Sequence, residues 1–209
     1  RDVTGVQTCA LPISAVQSEM EDTTHPETRR RVAHLPRYTA RYFKVWAERS
    51  EQRIAGGRCR SRDRLRRFGR LMDRYDQVIH RLLEFPKTLI HGEFYPSNIL
   101  LRQGLAHGRI CPIDWEVAAI APGLIDLAAL TSGDWEEPLR RRMVEAYRDA
   151  LSPRRGWPPS LADLMESIDY CQLHLAVQWF GWSDEWSPPE PHARDWLGEI
   201  LRLARKLDI

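Results

Sequence analysis

The sequence predicts a mainly helical α+β fold with one small β hairpin set into it. Two features carry that expectation. Apolar residues recur at three- and four-residue spacing through most of the 209 residues, the mark of helices with one buried face. One stretch, from about Leu89 to Ile113, breaks that rhythm with short apolar runs divided by glycine-containing turns. Composition sets outer limits. A 43% hydrophobic content is enough for a core and too much for wholesale disorder. No window approaches the ~20 consecutive apolar residues that a transmembrane helix requires. No basic-then-apolar start with a small-residue cleavage site is visible. The cysteines Cys9, Cys59, Cys111 and Cys171 stand far apart and form no C-x-x-C pair. This argues against structural zinc and fits a reduced, cytoplasmic setting.

The elements follow in order. Val3 to Ile13 reads VTGVQTCALPI and resembles the translation of a common sequencing adapter. Residues 1–14 are therefore set aside as not biological, and Cys9 with them. Residues 15–36 are polar, with Pro26, Pro36 and the run Arg29-Arg30-Arg31, and read as a linker holding at most a turn of helix. Residues 37–209 are expected to form the folded lobe. In it, Tyr38, Tyr42, Phe43 and Trp46 begin a helix that Gly56-Gly57 ends. A second helix is expected from Arg64 to Leu83, on the stripe Leu65, Phe68, Leu71, Met72, Tyr75, Ile79, Leu82 and Leu83, with Pro86 stopping it. Ile99-Leu100-Leu101 and Arg109 to Ile113 form the hairpin, with Gln103-Gly104 and His107-Gly108 as turn residues. Helices resume near Pro138, again over Leu161 to Trp179, and finally from Trp196 to Leu207. Pro153, Pro158-Pro159 and Pro188-Pro189 mark the loops between them.

Polar groups cluster around the hairpin. His91-Gly92-Glu93-Phe94-Tyr95-Pro96-Ser97-Asn98 leads into its first strand, and Ile113-Asp114-Trp115-Glu116 leaves its second. Glu93 and Asn98 lie five apart in one loop, and Asp114 arrives beside them. Two carboxylates and an amide oxygen are hard ligands, suited to magnesium rather than zinc. A metal-hydrolase site built from His91, Glu93, His107 and Asp114 has no H-E-x-x-H spacing to support it.

HGEFYPSN aligns without gaps on the protein-kinase catalytic-loop pattern H-R-D-x-x-x-x-N. The sequence resembles still more the aminoglycoside phosphotransferase and choline kinase group, with its H-G-D-x-x-x-x-N, then I-D-W, then G-x-x-x-D-L-A. Here the third motif is Gly123 to Ala128, GLIDLA. The resemblance implies the C-terminal lobe of a protein-kinase-like fold. It further implies ATP and magnesium as cofactors, and transfer of a phosphoryl group to a small-molecule hydroxyl. On this resemblance Asn98 and Asp114 are the magnesium ligands. His91 is a structural residue of the loop, and Asp126 braces that loop through hydrogen bonds. Glu93 occupies the position of the catalytic aspartate, which orients the acceptor hydroxyl and takes its proton. Glutamate is about 1.5 Å longer, and a misplacement of ~1 Å can cost ~100-fold in rate. Either the loop is shaped around Glu93 or activity is low.

The resemblance also implies an N-terminal β lobe with a glycine-rich phosphate cradle and a lysine. The only lysines are Lys44, Lys87 and Lys206, none in such a setting. These residues alone are therefore expected to be inactive. Two other readings stay open: a non-catalytic kinase-like binding module, and a nucleic-acid binder built on Arg58, Arg60, Arg62, Arg64, Arg66, Arg67 and Arg70. The arginine run lacks interleaved aromatics and reads better as a solvated helix face. Residues 91–209 carry 12 basic and 18 acidic side chains. Asp163, Glu166 and Asp169, with Asp184, Glu185 and Glu190 beyond them, could wall a pocket for a cationic acceptor. Trp179, Trp182 and Trp186 are core candidates or pocket walls. Neither a membrane partner nor an oligomeric state is indicated.

Overall fold

A computed structural model describes residues 17, 26–57, 59–102, 109–151, 160–182 and 194–209. The adapter-like start, the hairpin turn with His107, the prolines from Pro153 to Pro159, and Trp186 with Asp184, Glu185 and Glu190 lie outside them. The chain divides into two compact units, one of Arg1–Arg37 with Phe85–Ile168, the other of Tyr38–Glu84 with Asp169–Ile209.

The first unit carries the strands. A short helix α1 (Pro26–Arg31) lies within the span read as a linker. Strand β1 (Lys87–Ile90) pairs antiparallel with β4 (Ala119–Pro122), Ile90 opposite Ala119. Arg37 adds a single parallel bridge to Ile120, supported by the Ile120 amide donating to the Pro36 carbonyl at 2.9 Å. The expected hairpin is present as β2 (Ile99–Arg102) against β3 (Arg109–Pro112), Ile99 opposite Pro112. Helix α5 (Leu124–Leu130) follows β4 and is buried along its whole length. Helix α6 (Glu137–Ala150) begins with Pro138 in its first turn, where a missing N–H costs nothing. Met143, Val144 and Tyr147 form its buried face.

Helix α7 (Leu161–Trp182) gives its first turns to this unit and the rest to the second. The second unit is otherwise α2 (Ala40–Ala55), α3 (Arg62–Met72), α4 (Tyr75–Glu84) and α8 (Trp196–Lys206). Thr39 and Ser61 cap α2 and α3 through their hydroxyls. Phe43, Leu71, Val78 and Leu82 are fully buried, as are Leu173 and Val177 of α7. His174 is buried with them, its Nδ1 3.3 Å from the Tyr75 hydroxyl and its ring edge-on to Phe43. Burial holds it neutral, its pKa pushed down to about 3.

Two expectations are corrected here. The single helix from Arg64 to Leu83 is two helices, broken at Asp73 and Arg74, where the ladder closes on tight turns: Asp73 N–H to Gly69 carbonyl and Arg74 N–H to Leu71 carbonyl. The apolar step Leu89-Ile90 is half of a strand pair whose other strand, β4, had no sequence counterpart.

From Arg62 to Arg70 the arginine run lies on α3, and part of it is paired with carboxylates. Arg64 pairs with Asp195, and Arg66 with Asp63 at 2.7 Å. Trp182 stacks on Trp46 with ring centres 5.3 Å apart, and Trp179 on Trp196 at 5.8 Å. Among the described residues, no helix is long and apolar enough to cross a membrane.

Candidate active site

The site residues all sit in the first unit. β1 delivers His91 at its C-terminal end, and the chain must then turn sharply. Gly92 makes that turn at φ +87°, a conformation that side chains with a Cβ rarely adopt. Space is closed as well: a Cβ on Gly92 would lie 2.7 Å from the Val117 carbonyl oxygen. Gly92→Ala should therefore lower stability by about 1–3 kcal/mol or more, read as a shift in the urea midpoint. An unchanged midpoint would mean that the loop takes another path.

Asp126 holds this turn from the opposite side. It is fully buried in the first turn of α5. Its Oδ2 accepts from the His91 amide at 2.8 Å and its Oδ1 from the Gly92 amide at 2.9 Å. Two consecutive backbone donors thus converge on one carboxylate. Burial nevertheless dominates its acidity and pushes its pKa up to about 7, with the backbone and Gln17 hydrogen bonds opposing.

His91 is fixed by the loops on either side. Its Nε2 donates to the Ile113 carbonyl at 2.8 Å, and its Nδ1 accepts from the Glu93 amide at 3.3 Å. Those partners select the neutral Nε2–H tautomer. Burial lowers its pKa, opposed by the Ile113 carbonyl and the Asp114 charge. The Trp115 ring packs against the imidazole at 4.6 Å between centres, and its indole N–H donates to the Pro112 carbonyl. His91 thereby ties the start of the loop to the end of β3, a structural duty.

The loop then closes on itself. Asn98 ends a single 3-10 turn, Pro96–Asn98. Its Nδ2 donates to the Glu93 carbonyl at 3.0 Å, which aligns the amide and leaves Oδ1 as the atom suited to a cation. Its own carbonyl accepts from the Ile113 amide at 3.0 Å. That bond extends the hairpin ladder by one step and sets Asp114 one residue beyond Asn98's partner. Asp114 is exposed and held at φ 67°. Aspartate tolerates this left-handed conformation better than most residues, yet it is uncommon and concentrates at functional sites.

Glu93 is half-buried and sees both exit-loop carboxylates. Its pKa is raised by burial first, then by the charges of Asp114 and Glu116. A half-buried carboxylate with two others beside it makes a place where a cation is favoured. Glu93, Asn98 and Asp114 are thus brought together, with His91 and Asp126 behind them. The donor set, carboxylate and amide oxygen, fits magnesium. Among the described residues, no group of three or more His, Cys, Asp or Glu side chains has the closeness of a complete metal site, so Asn98 and Asp114 are at most part of a coordination shell.

The acidic trio on α7 does not share one face. Asp163 is exposed and caps the helix start with Ser160, whose hydroxyl donates to it at 2.6 Å. Glu166 is exposed. Asp169 is 2% exposed and ion-paired with Lys206 of α8 at 2.6 Å. Lys87 stands at the end of β1 away from Ile90, the end that leads to the site. No sequence signal pointed to Gln17, which reaches Asp126 from the segment read as a linker, or to the packing of the motif residue Trp115 against His91. Gln17 stands alone in a polar stretch and offered no periodic signal.

A family model described as "Phosphotransferase enzyme family" matches residues 24–162. Among curated proteins no sequence matches the chain. Solved structures are similar to it in fold. The GDP complex of wild-type aminoglycoside 2'-phosphotransferase-IIIa superposes with TM-score 0.61 at 18% identity, over 99% of this chain and 62% of that one. The choline kinase of Cryptosporidium parvum gives TM-score 0.59 at 13% identity, over 99% of this chain and 68% of that one. The ethanolamine kinase of Plasmodium vivax gives 0.53 at 14% identity, over 100% and 60%. This chain spans less than two thirds of the length of the aminoglycoside and ethanolamine enzymes.

Proposed function

This chain belongs to the phosphotransferase enzyme family, and we propose that the protein containing it transfers a phosphoryl group from ATP to a hydroxyl of a small molecule. The observation that carries the reading is the loop from His91 to Asn98. It is clamped by Asp126 and closed by Asn98, so that Glu93 faces Asp114 and Glu116. In this reading Glu93 orients the acceptor hydroxyl and accepts its proton. Its raised pKa makes it a better base than an ordinary surface glutamate, provided the pH is high enough to ionise it. Asn98 Oδ1 and the Asp114 carboxylate hold magnesium, which when bound neutralises phosphate charge. Asp163 and Glu166, both exposed, remain in the proposal as attractors of a cationic acceptor. Asp169 is engaged with Lys206. Residues that cradle the nucleotide phosphates lie, in this reading, outside these 209 residues, which alone do not turn over ATP. The setting is cytoplasmic.

Glu93 gives the test of roles. If the loop is built around glutamate, Glu93→Gln lowers kcat by roughly 10²–10⁴-fold, the range of a lost general base, and Glu93→Asp lowers it less. In the metal-free protein Glu93 should titrate above the ordinary glutamate range, burial being the first cause and the Asp114 and Glu116 charges adding to it, and a carboxyl resonance of Glu93 followed against pH measures it. Higher activity in Glu93→Asp would identify the site as decayed from aspartate. Equal activity in all three proteins would remove Glu93 from the mechanism.

A further inference from the structure

Gln17 lies outside the residues that match the family model, which begin at 24, and in a segment whose composition reads as a linker. Yet it is only 1% exposed, and both its side-chain amide and its backbone carbonyl are hydrogen-bonded. Its Nε2 donates to the Gly123 carbonyl at 3.1 Å and, in a longer contact of 3.4 Å, to Asp126 Oδ2. Its Oε1 accepts from the buried Tyr147 hydroxyl at 2.6 Å. Its backbone carbonyl accepts from Thr88 Oγ1 of β1 at 3.0 Å. The amide is thus oriented at both ends, with no freedom to flip: Tyr147 supplies a donor to its oxygen, while a carbonyl and a carboxylate receive its nitrogen.

The room for it is made by a motif glycine. A Cβ on Gly123 would lie 2.8 Å from Gln17 Oε1 and 3.0 Å from the Thr88 methyl. Gly123 has an ordinary helical φ of −58°, so its backbone alone does not call for glycine. What calls for it is the close approach of Gln17.

Asp126 Oδ2 is shared between Gln17 and the His91 amide, while Oδ1 serves Gly92. Rotation of a carboxylate about its last bond is soft. The two loop amides alone leave that rotation coupled to whatever the loop does. A third donor, anchored through Tyr147 to α6 and through Thr88 to β1, removes the coupling.

We propose that Gln17 is a positioning residue of the phosphotransfer site: it fixes the Asp126 carboxylate so that the His91–Gly92 turn, and with it Glu93, is held in one place. This rests on the phosphotransferase reading of that site. It assigns to a residue ahead of the matched span a part in the geometry of the catalytic loop.

The test is amide hydrogen exchange on the 209-residue chain, comparing wild type with Gln17→Leu, which keeps the bulk and removes the hydrogen bonds. Exchange at the His91 and Gly92 amides should speed up about tenfold, the scale of one hydrogen bond of ordinary strength, while the amides of α2 in the other unit exchange as before. Tyr147→Phe, which leaves Gln17 in place but frees its oxygen, should move the same two amides in the same direction by less. It also carries the measurement if Gln17→Leu does not fold. Equal acceleration at every amide would make Gln17 a general stabiliser and overturn the proposal, as would no change at His91 and Gly92. In the transfer-competent protein, Gln17→Leu should lower kcat and leave the KM for acceptor unchanged. An unaltered kcat with a loosened loop would likewise overturn it. If the wild type itself transfers no phosphate, the phosphotransferase reading falls, and the exchange result still decides whether Gln17 holds the loop.

Discussion

Replacing Asp114 with asparagine should reduce phosphoryl transfer at least ~10³-fold while leaving the fold intact. The size follows from the role: this carboxylate is the one anionic magnesium ligand in the proposed site, and the loss of a single preorganised electrostatic group costs ~10²–10³-fold even without a metal. Asparagine is the informative replacement. It accepts the φ of 67° that Asp114 adopts about as readily as aspartate, so backbone strain is not confounded with lost charge. Asp114→Ala should abolish activity too, with a small added cost in stability from alanine in a left-handed conformation. Asp114 is exposed, so thermal unfolding of Asp114→Asn should match wild type. Removing this charge should also bring Glu93 closer to the ordinary glutamate range, because Asp114 is one of the causes of its raised pKa. Transfer at near wild-type rate in Asp114→Asn would place the metal seat elsewhere.

Asp126→Ala should destabilise the chain by about 2–6 kcal/mol, because it leaves two buried backbone donors without an acceptor at ~1–3 kcal/mol each. Set against a total stability of ~5–15 kcal/mol, that is enough to populate unfolded protein. The pH dependence has a definite sign. Burial raises the folded pKa of Asp126 from 3.8 to about 7. A group whose folded pKa is raised contributes stability that is fully present below its unfolded pKa and is lost as pH rises through the folded one. The contribution from Asp126 should therefore fade between about pH 4 and 7, and the gap between wild type and Asp126→Ala should narrow over that window. Urea midpoints at several pH values measure it. A gap that widens with pH would show that the anionic form is the stabilising one.

What could be read in advance follows from which physical signal each element leaves. Helices with one wet face were legible: α6, α7 and α8 begin within a residue of the expected places because their apolar stripes start there. The hairpin was legible because glycine-containing turn residues separate two short apolar runs. Helix α5 was not recognised as a helix, since all seven of its residues are buried and a helix apolar on every side has no stripe. Strand β4 was missed for a related reason: Ala119-Ile120-Ala121-Pro122 is buried on both faces and shows no alternation. The break at Asp73-Arg74 was hidden because the apolar stripe continues across it. At the site, chemistry-bearing residues declared themselves through spacing. The Gln17 amide that supports them acts through long-range contacts that no local pattern encodes, and Trp115, although part of the I-D-W motif, gave no sign of packing on His91.

The most direct test of the phosphotransferase account is transfer of labelled γ-phosphate from ATP to a panel of cationic and neutral hydroxyl compounds, with and without magnesium. It should be run on the 209-residue chain and on the same chain joined to a nucleotide-binding lobe at its N-terminus. Acceptor-dependent, magnesium-dependent transfer is expected of the longer protein, favouring cationic acceptors more strongly at low salt, and none of the shorter. Transfer to no acceptor by a folded longer protein that binds nucleotide would contradict the catalytic claim and leave a binding module. Turnover by the 209 residues alone would contradict the claim that the phosphate cradle lies outside them.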